Sequence, residues 1–420
     1  MNELTPLRRN RDFLLLQAGQ LLSTFGAAMS GIAYPLLALA LTGSAAKAGY
    51  VGAIQFAPVV LLGPAAGVAA DRFDRRKLMI ASDVAGATAL AVLAASVLSH
   101  HATFWLLLLV GFVDTSAAVV FRAGSSGAFK AVVPQPQLAD ASSLAMGRMS
   151  AVRLAAPPVG GALFGLSRGL PFLADAISYV FSTASLLLMR TRFQEEREPD
   201  RSTIRSQIAE GFRFLWAQPF LRTCALLFGL ANFIFPGVLI VIVVAGKRQG
   251  LSSGEIGGLT AAFGACLLIG SLLSPLLRRK LSVRRILLLE LWTWTGSGLF
   301  LIWPNVYVLV AGILPQALTI PTTDSVVVGY RTAMTPDRLL GRVNGAARNI
   351  SLFVSPLGPL AAGLLLSAVA ARWTVAVFAG CGLALAVWGT LSPSIRKAPS
   401  LAELDELPVH DAAAAAAPHG

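Results

Sequence analysis

Apolar runs alternate with short charged segments along almost the whole chain. Twelve runs can be read, at about residues 13–41, 48–70, 78–99, 104–124, 143–166, 171–190, 220–245, 255–277, 286–303, 306–328, 349–369 and 373–391. Each reaches the roughly 17–25 residues that let an α-helix cross a bilayer. The first exceeds that length, enough to tilt or to project past the membrane. The pattern predicts an all-α membrane protein with twelve transmembrane helices, numbered here as spans 1–12.

Charge placement orients the spans. The N-terminus, the loops that follow even-numbered spans and the C-terminus hold 27 of the 34 Lys and Arg residues, and the opposite loops hold 5. Arg148 and Arg153 lie inside span 5 and complete the count. Basic loops stay in the cytoplasm, so both termini are expected there, and a count of eleven or thirteen spans would erase the bias. Arg8, Arg9 and Arg11 precede a run of about 29 residues, far beyond the roughly 7–15 of a signal-peptide core. It reads as a retained first helix.

The expected organisation is a cytoplasmic N-terminus (1–12), a first six-helix bundle (13–190), a cytoplasmic linker (191–219), a second six-helix bundle (220–391) and a low-complexity cytoplasmic tail (392–420). Within the linker Ile204, Ile208, Phe212 and Leu215 recur at helical spacing between Arg205 and Arg213. That spacing predicts a short amphipathic helix on the inner membrane face.

Composition narrows the function classes. Of 420 residues, 55% are hydrophobic and 13% charged, against about 25% charged in a soluble domain. The net charge of +13 sits in short loops beside anionic headgroups rather than on a separate basic domain, which argues against a nucleic-acid partner. Cys224, Cys266 and Cys381 all fall in apolar runs without metal-ligand spacing. No metal site, cofactor site or catalytic constellation is read, and no enzyme activity is expected.

The chain repeats itself. A shift of 202 positions lays Pro134 on Pro336, Leu138 on Leu340, Pro157 on Pro359 and Gly161 on Gly363, and elsewhere the shift drifts to 207–208. Two six-span halves in the same orientation form a parallel repeat, an arrangement found in one large transporter class.

Charge is densest at "GVAADRFDRRKLM", residues 67–79, where six of the seven residues at 71–77 are charged. This short loop joins spans 2 and 3. Its spacing, Gly67-x-x-x-Asp71-Arg72-x-x-Arg75-Arg76, resembles the loop 2–3 signature of the major facilitator superfamily (MFS). Asp74 stands where the family's signature usually has glycine, and the copy after span 8, residues 277–285, keeps its bases without the acid. Span 5 carries Ala156-Pro157-Pro158-Val159-Gly160-Gly161, similar to the family's antiporter motif, with Ala156 and Val152 in place of its leading glycines. The stretches "FRAGSSGAFKAVVP", "LPFLADAISYVFSTASLLL" and "MTPDRLLGRVNGAAR" resemble the branch that holds enterobactin and macrolide exporters.

The resemblance implies two pseudo-symmetric six-helix bundles, a monomer, and a loop 2–3 whose ion pairs latch the outward-facing state. It also implies tight packing of span 5 on span 8. The function it implies is proton-coupled antiport that exports drug-like or siderophore-like amphipathic molecules across a bacterial inner membrane. An importer or facilitator of a small metabolite, and a non-transporting membrane sensor, are the alternatives.

A charge inside the bilayer costs roughly 2.5–3.5 kcal/mol on insertion scales, so each one needs a role. Asp114 in span 4 and Arg153 in span 5 are candidates for proton coupling or for a neutralising pair, and Asp175 in span 6 is a third candidate. Asp83 and Arg148 lie about two turns from the inner ends of spans 3 and 5. In the family fold, spans 1, 4, 7 and 10 line the cavity, where Gln17, Gln20, Phe25, Tyr34, Phe228, Asn232, Phe233 and Gln316 are substrate-contact candidates. Arg122 and Asp324 are equivalent under the 202 shift and are candidates to close an inner gate. Reversing either charge alone is expected to abolish transport. Reversing both is expected to restore it, and a double reversal as inactive as the singles removes the gate.

Overall fold

The computed structural model describes residues 6–191, 193 and 204–398. Twelve helices long and apolar enough to cross a membrane run over Arg11–Thr42, Ala45–Gly63, Arg75–Leu98, Phe104–Phe129, Asp140–Leu166, Leu170–Leu188, Pro219–Arg248, Ser253–Lys280, Val283–Ile302, Val306–Met334, Leu339–Ala368 and Ala371–Leu391. These are spans 1–12 in order, and no strand occurs among the described residues.

Caps set several helix starts. The side chains of Asn10, Ser44, Thr103, Ser282 and Asn305 each accept a hydrogen bond from a main-chain N–H in the first turn of spans 1, 2, 4, 9 and 10. Such bonds satisfy donors that the helix itself leaves open. Asp74 does the same for span 3, accepting from the Lys77 N–H at 3.1 Å. The residue that departs from the family signature is therefore an N-cap, and Ser282 repeats the device in the second half. Gly43, at φ 66°, makes the left-handed turn between spans 1 and 2.

Some ends differ from the hydropathy reading. The helix of span 4 continues to Val132 and that of span 10 to Met334. Polar residues end the apolar run, but nothing stops the helix until Pro134 and Pro336. The residue before each proline, Val133 and Thr335, is extended, as the proline ring requires. Span 11 is longer than its apolar run for the same reason, with helices at Asp337–Phe353 and Leu357–Ala368 separated beside Pro356.

The chain forms two compact units, Met1–Glu198 with Gly246–Ala261, and Pro199–Ala245 with Ala262–Gly420. In the first, Asp12 ties the start of span 1 to the chain leaving span 6. Its carboxylate accepts from the Thr191 N–H at 2.7 Å and the Arg190 N–H at 3.1 Å. Span 5 is wedged between spans 1 and 8. A Cβ at Gly160 would lie 2.6 Å from the Met29 carbonyl oxygen, and one at Gly257 would lie 2.5 Å from the Pro157 oxygen. Gly161 meets the Ser253 main chain in the same way. The missing side chains let three backbones touch.

In the second unit, Gly358 of span 11 sits on the Phe233 main chain, Gly270 on that of Leu318, and Gly296 on that of Gly312. The linker helix occupies Ile204–Ala217. The Ile204 and Ile208 side chains lie outside the described residues, as do 192 and 194–203 of the linker and 399–420 of the tail. The helix docks on the start of span 11. Gly211 meets the Arg342 main chain, Glu210 pairs with Arg342, and Leu215 is buried.

Candidate functional site: a buried carboxylate cluster in the first unit

Asp114 sits mid-helix in span 4 and is 7% exposed. Its two oxygens accept from two tyrosines on different helices, Tyr34 of span 1 at 3.1 Å and Tyr179 of span 6 at 2.9 Å. Both tyrosines are buried. The Tyr34 ring meets Phe172 edge-on at 5.1 Å, and the Tyr179 ring fills the space over Gly86 of span 3. Packing therefore fixes the direction in which both hydroxyls donate.

Asp175 of span 6 is fully buried next to this site. It accepts from Ser30 of span 1 at 2.6 Å and from Ser178 at 3.2 Å, and it lies close enough to Asp114 for their charges to interact. Gly26 lets span 1 approach the Asp175 backbone. Asp83 of span 3 is also fully buried, and neither carboxylate oxygen has a hydrogen-bond partner at standard distance. The Ser182 hydroxyl faces it without reaching that geometry. Spans 1, 3, 4 and 6 thus enclose three carboxyl groups and two tyrosines. Among the described residues no Lys or Arg pairs with any of the three. A dry cluster of carboxyls on hydroxyl donors can take up, hold and pass protons.

Arg153 does not join Asp114; its side chain is exposed and the two form no ion pair. The reason is register, since Val152 and Ala156 take the inward face of span 5 against Met29. Arg148 points instead at span 1, where it bonds Gln17 and Gln20. Of the cavity candidates, Tyr34 is buried in the carboxylate cluster, while Gln17, Gln20 and Phe25 are half-buried. In the second unit Phe228 and Phe233 are half-buried, and Phe233 stacks on Phe378 at 5.2 Å. Asn232 is exposed and donates to the Phe228 carbonyl at 3.0 Å. Gln316, which the 202 shift sets on Asp114, is 1% exposed with its side-chain oxygen unpartnered.

In the loop after span 2, Arg75 donates to the Ala70 carbonyl at 3.1 Å and Arg76 to the Leu187 carbonyl at 2.8 Å. Arg72 is exposed, and the Asp71 side chain lies outside the described residues. A Cβ on Gly67 would meet no described atom within 4 Å. Arg122 and Asp324 are both exposed and, because the helices of spans 4 and 10 run on to Val132 and Met334, each lies ten residues before its helix ends.

Sequence reasoning missed Tyr179, Ser30 and Glu290. The first two had a signal. Asp175 and Tyr179 are four apart on span 6, and Ser30 and Tyr34 are four apart on span 1, each a polar pair on one helical face. Glu290 of span 9 is 5% exposed and follows three leucines in the sequence.

Twelve spans in two repeated halves, with buried carboxyl groups inside them, define a multi-span membrane transporter. The chain belongs to the Major Facilitator Superfamily, whose sequence profile matches residues 17–289 and 237–414. Macrolide efflux protein A of Streptococcus pyogenes is 24% identical over 383 residues, 85% of this chain and 88% of its own length. The enterobactin exporter EntS of Escherichia coli O6:K15:H31 is 25% identical over 399 residues, 92% of each chain. Among solved structures, the nucleoside transporter NupG superposes with a TM-score of 0.72 at 14% identity, over 92% of this chain and 100% of its own. A bacterial homologue of the lysosomal transporter Spinster gives 0.71 at 16% identity, over 97% and 98%. The resemblance to the efflux branch holds, and the protein is a multi-pass protein of a bacterial inner membrane.

Tyr34→Phe and Tyr179→Phe should each lower stability by about 1–3 kcal/mol, the cost of leaving a buried acceptor short of a donor. In an Asp114→Leu background both changes should be close to neutral, because the acceptor is gone. Thermal unfolding in detergent across this mutant set checks the coupling.

Proposed function

We propose that the protein exports an amphipathic, drug-like or siderophore-like molecule in exchange for protons by alternating access, with Asp114 as the proton carrier. The observation that carries this reading is the setting of Asp114, buried on two tyrosine hydroxyls with no cation paired to it among the described residues. A bare charge at that depth costs roughly 2.5–3.5 kcal/mol, and a bound proton removes it. Loading and unloading therefore change what the surrounding spans must accommodate, which is the coupling an antiporter needs. Asp175, on Ser30 and Ser178, is the neighbouring relay.

The named activities of the two efflux relatives support export. A D-xylose–proton symporter superposes with a TM-score of 0.67, so the fold itself does not set direction. Val152 and Ala156, both buried where the antiporter signature has glycine, favour the importer or facilitator as second reading. In the export reading both termini face the cytoplasm, a monomer is the working unit, and the two halves are 13–190 and 220–391. The loop at 67–76, which latches the outward-facing state, and Arg122 with Asp324 both serve the inner, cytoplasmic gate. One proton entering across ~150 mV releases about 3.5 kcal/mol, which supports roughly a 300-fold gradient of a neutral substrate.

Acid-loaded proteoliposomes with an internal pH dye test the proposal, with macrolides, cationic dyes and catecholate siderophores added singly. At least one compound should raise internal pH, and Asp114→Asn should slow that rise by about 10-fold or more. Transport of a labelled compound with no pH change would overturn proton coupling.

A further inference from the structure

Arg148 is a charge of the first unit that meets no acid among the described residues. It lies in span 5, half-buried, and its guanidinium donates to the Gln17 main-chain oxygen at 3.1 Å, the Gln17 side-chain oxygen at 2.6 Å and the Gln20 side-chain oxygen at 2.9 Å. The Gln20 amide nitrogen in turn donates to Ser125 of span 4 at 3.3 Å. All of these acceptors are uncharged. Among the described residues no carboxylate lies within ion-pair distance of Arg148.

Two donors at this place have no acceptor at all. The Arg148 Nε and the Gln17 Nε2 are buried and unpartnered. A buried donor without a partner is unfavourable, and the great majority of such groups in folded proteins are satisfied. Guanidinium stays ionised at every accessible pH, and its planar fork matches a two-oxygen anion. The glutamines orient the fork but supply no charge. Other arginines of this chain are spent differently: Arg342 pairs with Glu210, and Arg76 donates to a main-chain carbonyl. Spans 1, 4 and 5 thus present a cation and unfilled donors in one place, built on long helices.

We propose that Arg148, Gln17 and Gln20 form an anion-binding subsite that takes the carboxylate or comparable oxyanion of the transported molecule. The substrate class is then an anionic amphiphile rather than a lipophilic cation. This rests on the transport reading, because it assigns the anion to cargo. The shared chemistry, an oxyanion on an apolar body, also belongs to a phospholipid headgroup, and the experiment separates the two.

Binding, not transport, is the readout, so the result stands whether or not export is proton-coupled. Purified protein in an uncharged maltoside detergent is titrated with two dansyl-labelled alkyl probes, one ending in a carboxylate and one in the corresponding primary amide. The carboxylate probe should bind about 10-fold to 100-fold more tightly, the size of a charge-assisted bond. Arg148→Gln should bring the two probes within about twofold of each other, and Arg148→Lys should keep part of the preference. Gln17→Leu, which leaves the charge in place, should weaken the carboxylate probe alone. Equal affinities in the unmodified protein, or a preference that survives Arg148→Gln, overturns the subsite. Displacement of the probe by stoichiometric phosphatidylglycerol assigns the site to a lipid headgroup and overturns the substrate reading.

Discussion

One carboxyl group, Asp114, held between Tyr34 and Tyr179, organises the first unit. It sits inside a bilayer-spanning helix and is shut off from water. Burying such a group is unfavourable unless its oxygens are satisfied, and here each oxygen has a tyrosine donor from a different span. The tyrosines are fixed by packing on Phe172 and Gly86. Spans 1, 3, 4 and 6 therefore meet around a polar centre, and a change in its charge is felt by four helices together. Asp175 and Asp83 extend the same polar layer.

The rest of the unit holds a second polar place apart from this centre. Glycines in spans 5 and 8 bring backbones into contact at one end. Towards the other end of span 5, Arg148 reaches across to the glutamines of span 1. Acid and base are thus separated along the bundle instead of cancelling as an Asp114–Arg153 pair. A transporter that must change charge during its cycle gains from that separation, because neither group is locked into a permanent bridge. In the second unit Gln316 takes the position of Asp114. The repeat has kept a polar side chain there and lost the titratable one.

Much of the fold was legible from hydropathy, charge bias and the internal repeat, because a bilayer enforces long apolar helices. The helix ends were less so. Apolar runs report the membrane, whereas Pro134, Pro336 and Pro356 decide where the helices of spans 4, 10 and 11 stop or break. The intramembrane charges were equally visible as residues, but their partners were not. Pairing Asp114 with Arg153 assumed that opposite charges on neighbouring spans meet. The face of span 5 that turns inward is instead Val152 and Ala156, and the donors are tyrosines that a charge count does not flag. Asp74 shows the reverse case: a residue that looked like a departure from the family signature proves to be an ordinary N-cap, readable as an Asp directly before the helix that starts at Arg75.

The central claim is that Asp114 carries the proton exchanged for substrate. It is tested most directly by adding a transported compound to purified protein in weakly buffered detergent and measuring protons released per protein with a pH indicator. The account predicts release by the unmodified protein and none by Asp114→Asn, with compound still bound by both. Equal release from the two proteins would contradict it and move the proton to another group.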